Sequence, residues 1–107
     1  MFRTKICGVT SIDDALCTLD AGADALGLNF YPKSPRYVAP ETAHRIAEVV
    51  RGRLLLVGVM VNPSVPEAVS LASQIGLDAV QLHGDEAAAV ATEISRSVAV
   101  IRAFRVS

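Results

Sequence analysis

The sequence predicts an α/β fold in which five parallel strands alternate with four helices. Three observations predict it. Short apolar runs alternate with segments of helical spacing, the run from Leu54 to Val61 is almost unbroken, and one junction motif occurs twice. Strands separated by helices run parallel, and a strand without polar alternation is typical of a sheet covered on both faces. We therefore expect a parallel (βα)4β segment.

The first strand and helix have clear boundaries. Phe2 to Cys7 is predicted to be a strand. Thr10 or Ser11 is expected to cap the first helix, with an aspartate three residues later as capping-box partner, and Gly22 to end it. Helical spacing predicts that the buried face of this helix contains Ile12, Ala15, Leu16 and Leu19.

The second unit runs from Ala25 to the third strand. Ala25 to Phe30 is predicted to be a strand, and a long turn containing Pro32 and Pro35 follows. Pro40 suits the first turn of the second helix. The predicted buried stripe of this helix contains Ala43, Ile46, Ala47 and Val50.

The remaining elements follow the same order. Ser64 and Glu67 form a capping box, and Gly76 ends the third helix. The predicted buried face of that helix contains Ala68, Leu71, Ala72 and Ile75. Beyond it we expect a strand, a helix capped by Asp85, and a last strand, over Ala79 to His83, Glu86 to Ser95 and Val98 to Phe104.

The repeated motif lies where a helix leads into a strand. Gly22 to Ala25 and Gly76 to Ala79 both read G-x-D-A, and each is followed by an apolar residue, any residue and leucine. Repeated βαβα units are typical of a barrel assembled from equivalent quarters. Turns between helix and strand also favour Gly and Asp by themselves, so the sequence leaves both interpretations open.

Length and composition indicate one domain over residues 1–107. The chain is 51% hydrophobic, has a net charge of −1 and contains no apolar run that reaches the ~18 residues of a membrane span. These properties predict a cytoplasmic protein that binds neither nucleic acid nor membrane. The two cysteines lack CxxC spacing, so the sequence predicts no disulfide framework. The two histidines lie on separate predicted elements, so it predicts no metal site.

The candidate site residues follow predicted strands, because the loops at the carboxyl ends of parallel strands carry the chemistry of such folds. Cys7 could act as a general base if Lys5 and the next helix N-terminus favour its thiolate, or it could be an inert buried cysteine. Arg36, in a proline-braced loop, could bind a carboxylate or phosphate, or be a solvated arginine. His83 could donate to a substrate or simply cap the strand, whereas Gln81 is polar within a strand and is expected to face a polar site.

Several blocks together resemble the phosphoribosylanthranilate isomerase family of tryptophan biosynthesis. They are Lys5-Ile6-Cys7-Gly8, the segments 21–27, 32–38 and 57–62, and Gln81-Leu82-His83-Gly84-Asp85-Glu86. The resemblance implies a TIM (βα)8 barrel of which this chain is the N-terminal half, truncated after strand five. It also implies an enzyme, an intramolecular oxidoreductase that needs no cofactor and acts on a phosphorylated small molecule. The implied reaction is the Amadori rearrangement of N-(5-phosphoribosyl)anthranilate to 1-(o-carboxyphenylamino)-1-deoxyribulose 5-phosphate.

The resemblance also implies roles for individual residues. Cys7 corresponds to the general base that removes the C2 proton, and Arg36 to the residue that pairs with the anthranilate carboxylate. Gln81 and His83 lie in a family motif at the rim of the site and are expected to contact substrate. The family's general acid, an aspartate on a later strand, has no matching position here, and neither Asp78 nor Asp85 is expected to replace it.

Three explanations for the missing half remain open at this point. The chain can be a fragment of a longer isomerase, a halved barrel that self-associates or pairs with a second half, or an independent flavodoxin-like domain. The non-catalytic alternative is a self-associating half barrel or a flavodoxin-like domain, whereas a half barrel that pairs with a second half could be an enzyme. Exposed strand edges and apolar patches would favour pairing in a half barrel.

Overall fold

The computed structural model of the protein describes residues 5–82 and 88–102. Within them nine elements alternate from strand to helix: β1 (Lys5–Cys7), α1 (Ile12–Asp20), β2 (Ala25–Asn29), α2 (Pro40–Val50), β3 (Leu55–Met60), α3 (Val65–Ile75), β4 (Ala79–Leu82), α4 (Ala88–Ser95) and β5 (Ala99–Arg102). The predicted (βα)4β order is therefore confirmed. Parts of four predicted elements lie outside the described residues, namely residues 2–4, 83, 86–87 and 103–104.

The strands form one parallel sheet in the order β1-β2-β3-β4-β5, which is also their order in the chain. Cys7 pairs with Gly27, Gly27 with Val57, and Val57 with Ala79. Each crossover thus advances the chain by one strand in the same direction. The flavodoxin-like alternative is wrong, because that fold places its first strand between the second and third and so reverses direction once.

The sheet is strongly curved. Lys5 in β1 donates a hydrogen bond from Nζ to Oε1 of Gln81 in β4. In a flat sheet, three strand spacings would separate these strands by ~14 Å, and both side chains would stand perpendicular to the sheet, so their ends would not meet. The contact across β2 and β3 therefore shows that β1 and β4 face each other over a concave surface, which we call the inner face.

The two faces of the sheet bury different residues. On the convex side, leucines and valines of the strands pack against the helices, and the largest buried members are Leu26, Leu28, Ile46, Leu56, Ile75, Leu82 and Ile94. On the inner face, Ala25, Val57 and Ala79 form a second, smaller cluster with Leu55 and Ile101. Because each large side chain contributes about 1.5–3 kcal/mol on burial, the convex side provides most of the hydrophobic stabilisation.

The predicted helix faces are confirmed for α2 and α3. All four residues of the α2 stripe are buried, as are Ala68, Ala72 and Ile75 of α3, while Leu71 is partly buried against the core. The predicted serine caps of α1 and α3 are also present, whereas the predicted Asp85 cap lies outside the described residues. Ser11 Oγ accepts from Asp14 N at 3.1 Å, and Ser64 Oγ accepts from Glu67 N at 3.2 Å.

The predicted buried face of α1 is wrong in part. Ala15 is buried, but Ile12 and Leu16 are 38% and 43% exposed, and Thr18 takes the remaining central position at 3% exposure. The Thr18 hydroxyl donates to the backbone carbonyl four residues earlier at 2.9 Å, so its burial leaves no unpaired donor. Ala15, Thr18 and the partly buried Leu19 form the face that packs, and Ile12 and Leu16 lie at its flank.

The repeated junction motif adopts one geometry twice. Gly22 and Gly76 both have positive φ, 77° and 82°, and each follows a helix end. The next residue in each case donates its N–H to the carbonyl five residues earlier, Ala23 to Thr18 at 3.4 Å and Leu77 to Ala72 at 3.0 Å. The two G-x-D-A segments are therefore structurally equivalent, which supports the interpretation as a repeat.

The amino ends of the strands are held by polar contacts. Asp78 Oδ2 accepts from Leu56 N at 2.7 Å, and Asp78 N donates to Leu56 O at 2.8 Å. Arg51 Nη2 donates to the Ile75 carbonyl at 3.1 Å, at the C-terminus of α3 where a cation is favourable. Asp78 therefore lies at the edge opposite the strand ends where the chemistry is expected, and its role is structural.

Replacing Asp78 with alanine is expected to lower the free energy of unfolding by about 1–3 kcal/mol, because the buried Leu56 N–H loses its acceptor. Urea titration followed by circular dichroism measures the change. Asp78→Asn retains an acceptor oxygen, so its free energy of unfolding should fall by less. Asp20→Ala, at an exposed position of α1, is the matched control with little change. Equal losses for Asp78→Ala and Asp20→Ala would contradict the structural role.

Candidate functional site

The carboxyl end of β1 carries the first candidate residue. Cys7 is the last residue of this strand, and its backbone pairs with Gly27 of β2. The N–H groups of Gly8 and Val9 both donate to the Gly27 carbonyl, at 3.2 and 3.3 Å. Cys7 is therefore followed immediately by a turn tied to the neighbouring strand, at the sheet edge that the sequence predicted.

Arg36 reaches the same edge from the loop after β2. Its side chain lies across Gly8, so that a Cβ built on Gly8 would be 2.8 Å from Nη1 and 3.3 Å from Nε. Gly8 has φ +80°, a backbone conformation that glycine adopts without steric cost. Glycine at position 8 thus serves both the turn after Cys7 and the close approach of the Arg36 guanidinium. The structure brings these two sequence-predicted positions together.

The Arg36 loop is held by hydrogen bonds to its own strand. Asn29 Oδ1 accepts from Tyr31 N at 2.8 Å, and the Asn29 carbonyl accepts from Val38 N at 2.9 Å. Within the loop, Ser34 Oγ accepts from Arg36 N at 3.1 Å. The Arg36 backbone is therefore fixed although its side chain is exposed, which suits a side chain that binds a ligand from solvent.

Gln81 lies on the inner face, half-buried in β4 between Val59 and Ile101. Its Oε1 accepts from the Lys5 ammonium, as described above. This contact gives Gln81 a charged neighbour on the inner face, and its expected place in a polar site stays a prediction.

Two described cations can bind an anion at this edge, which also carries the carboxylates of Asp13 and Asp14 in the first turn of α1. Lys5 and Arg36 lie close to the end of β1, and neither forms an ion pair within residues 5–82 and 88–102. A cation whose only described partner is a neutral amide leaves charge to be balanced by an anion. Among the same residues, no cluster of His, Cys, Asp or Glu could hold a metal ion. The described side chains at this edge therefore suit an organic anion.

Two further residues, His83 and Arg102, are incompletely described. His83 lies outside the described residues, so its expected contact with substrate stays a prediction. Arg102 is the last residue of β5, and its backbone pairs with Leu82.

No helix in the part of the chain that the structure describes has the length and apolarity to cross a membrane.

Sequence reasoning assigned no specific contact to two residues of this region, Gly8 and Asn29. The signal for Gly8 was present, because a glycine directly after a strand end allows positive φ and a close approach. The signal for Asn29 was its position at the end of β2, two residues before Tyr31, since asparagine commonly accepts from the backbone two residues later. Neither signal identifies Arg36 as the residue that lies against Gly8, because these two residues are 28 positions apart in the sequence.

Comparison with known proteins identifies the fold and the family. The family model for N-(5'-phosphoribosyl)anthranilate (PRA) isomerase matches residues 4–107. The N-(5'-phosphoribosyl)anthranilate isomerase of Thermotoga maritima is 45% identical over 107 residues, which are 100% of this chain and 52% of that protein. The chain thus spans about half the length of the curated relatives that it matches.

Solved structures agree. A phosphoribosylanthranilate isomerase in complex with reduced 1-(o-carboxyphenylamino)-1-deoxyribulose 5-phosphate superposes with a TM-score of 0.95 at 45% identity, covering 100% of this chain and 55% of that one. The isomerase from Thermus thermophilus gives 0.93 at 38% identity, covering 97% and 52%. The five-stranded sheet corresponds to about half of a (βα)8 barrel. On its sequence and its fold, the chain belongs to the N-(5'-phosphoribosyl)anthranilate isomerase family.

Proposed function

We propose that this chain, residues 1–107, is the N-terminal half barrel of an N-(5'-phosphoribosyl)anthranilate isomerase and supplies the base and the carboxylate-binding residue of its active site. The reaction is the Amadori rearrangement to 1-(o-carboxyphenylamino)-1-deoxyribulose 5-phosphate. The observation that carries the proposal is the approach of Arg36 to Gly8, the residue after Cys7. It supports a single site formed by the ends of β1 and β2.

The proposed chemistry begins with an open-chain form of the substrate, in which the C2 proton is acidified by the adjacent C=N bond. Cys7 removes this proton as its thiolate, which gives an enolamine. The imine nitrogen carries a proton, so the enolamine is neutral. A proton then adds to C1 while the C2 hydroxyl releases its own proton, which yields the ketone product. The substrate changes only the positions of its protons and double bond, so the reaction is balanced without a cofactor. General-base catalysis of this kind contributes about 10²–10⁴ in rate.

Arg36 is proposed to bind the anthranilate carboxylate. A guanidinium offers two parallel N–H donors that match the two oxygens of a carboxylate. Its fixed backbone and exposed side chain support this role, because little freedom is lost on binding while the donors remain accessible. Bound in this way, the anthranilate ring would lie over Gly8 and bring the sugar carbon toward the end of β1.

Gln81 and His83 are proposed to line the substrate side of β4. The contact between Gln81 and Lys5 supports an indirect role for Gln81, since it holds a cation on the inner face near the base. A positive charge near a thiol favours its thiolate form. The ring-opening acid and the phosphate-binding loops of the family have no matching positions in this chain, so we propose that later strands supply them.

The experiment that tests the function is a turnover assay of the purified native protein, with its intact mass measured on the same sample. Loss of N-(5-phosphoribosyl)anthranilate is followed by its fluorescence. We expect turnover. The measured mass shows whether the active polypeptide is heavier than the 11.3 kDa of this chain. A homogeneous, folded native protein without turnover would instead support the non-catalytic alternative.

Arg36→Ala is expected to raise KM by about tenfold or more and to leave kcat less affected, because a charge-assisted hydrogen bond to the substrate is lost. Steady-state kinetics with varied substrate concentration measures both constants. Lys33→Ala is the matched control, since it removes an exposed charge from the same loop. If both variants change KM equally, Arg36 acts through the general charge of the loop and the assigned carboxylate contact is wrong.

A further inference from the structure

Asn29 forms hydrogen bonds to both ends of the loop that carries Arg36. It is the last residue of β2, lies half-buried, and pairs with Val59 of β3. Its side-chain oxygen accepts from Tyr31 N at 2.8 Å, and its carbonyl accepts from Val38 N at 2.9 Å. It also forms an isolated parallel bridge with Tyr37. One residue thus holds both ends of the segment that carries Arg36.

The side chain of Asn29 is the first link in a continuous chain of hydrogen bonds to Arg36. Tyr31, fixed by Asn29 Oδ1, accepts at its carbonyl from Ser34 N at 3.0 Å. Ser34 in turn accepts at Oγ from Arg36 N at 3.1 Å, and its carbonyl accepts from Tyr37 N at 3.1 Å. The Arg36 backbone is therefore connected to β2 through the loop as well as through Val38.

We propose that Asn29 is a positioning residue for Arg36, which it acts on through the backbone of Tyr31 and Ser34. This inference rests on the proposed function of Arg36 in binding a substrate carboxylate. Asn29 Oδ1 caps the N–H of Tyr31 and fixes the first turn of the loop. Without that acceptor, the first turn loses its anchor, and Arg36 must be ordered at the moment of binding.

The atoms involved make the proposal specific. Within the described residues, Asn29 uses its side-chain oxygen, and aspartate presents an acceptor oxygen at the same position. Asn29→Asp should therefore preserve the loop, whereas Asn29→Leu, which is similar in size but has no acceptor, should release it. If the amide NH₂ group instead contacted substrate, both variants would be impaired.

The first test compares the two variants alone and combined with Arg36→Ala. We expect Asn29→Leu to raise KM about tenfold with kcat within about twofold, and Asn29→Asp to keep KM within about threefold. In the Arg36→Ala background, Asn29→Leu should raise KM no further, because the residue it positions is absent. An additive increase in that background, or equal damage by both variants, would overturn the proposal.

The second test does not depend on turnover. Amide hydrogen exchange is measured in the native protein and in both variants, with global stability checked by urea titration. We expect faster exchange at Tyr31 and Arg36 in Asn29→Leu, unchanged exchange in Asn29→Asp, and unchanged exchange in β3 and β4 in both. Unchanged exchange at Arg36 in Asn29→Leu would overturn the positioning role. Absence of turnover in the native protein would contradict only the proposed function.

Discussion

Replacing Cys7 with serine is expected to reduce kcat by about 10³-fold, the largest effect of any single substitution in the described half of the site. The two side chains are nearly isosteric, but a hydroxyl is far less acidic than a thiol and does not supply an anion near neutral pH. The proton at C2 would then have no base of suitable strength. Single-turnover kinetics under saturating substrate measures the step directly.

Cys17 provides the matched control, because it is an exposed cysteine in the middle of α1. Cys17→Ser should retain full turnover, and the double variant should behave like Cys7→Ser alone. A Cys7→Ser enzyme that keeps the rate of the native protein would show that another group removes the proton. The general-base assignment would then be wrong even if the family assignment stands.

The second large effect is expected for Gly8→Ala. Alanine at φ +80° is strained by about 1–3 kcal/mol, and its Cβ would occupy space that the Arg36 side chain now fills. The variant should therefore lose stability and raise KM by about tenfold, since the guanidinium must move away from the end of β1. Urea titration and steady-state kinetics measure the two losses separately.

Gly22→Ala separates the effect of backbone strain from the effect of displacing the Arg36 side chain. Gly22 has φ +77°, but a Cβ built there meets nothing within 4 Å. We expect a similar loss of stability and an unchanged KM for this variant. If Gly22→Ala raised KM as much as Gly8→Ala, the kinetic effect would reflect general destabilisation, and the contact between Gly8 and Arg36 would have no role in binding.

The fold was predictable because local signals determine both the type and the order of its elements. Ser11, Ser64 and Gly76 mark helix ends by chemistry that requires no tertiary context. The face of α1 was not predictable in the same way. Helical spacing gives an apolar stripe, but the burial of Thr18 depends on a hydrogen bond within the helix and on close packing of small residues.

The placement of candidate residues at one edge of the sheet was predictable, whereas their contacts were not. Strand ends identified Cys7 and Arg36, because all βα loops open at one edge of a parallel sheet. The contact between Lys5 and Gln81 depends on the curvature of the whole sheet, which no local pattern reports. The link from Asn29 to Arg36 depends on the conformation of a loop whose sequence permits many turns.

The sequential strand order has a consequence for how such a protein can change over time. Asp78 and Arg51 hold one rim, while Asn29, Gly8 and Arg36 belong to the other. Substitutions at well-separated positions act almost independently on free energy. Substitutions at one rim can therefore raise thermal stability while substitutions at the other change ligand specificity. The two properties can evolve independently.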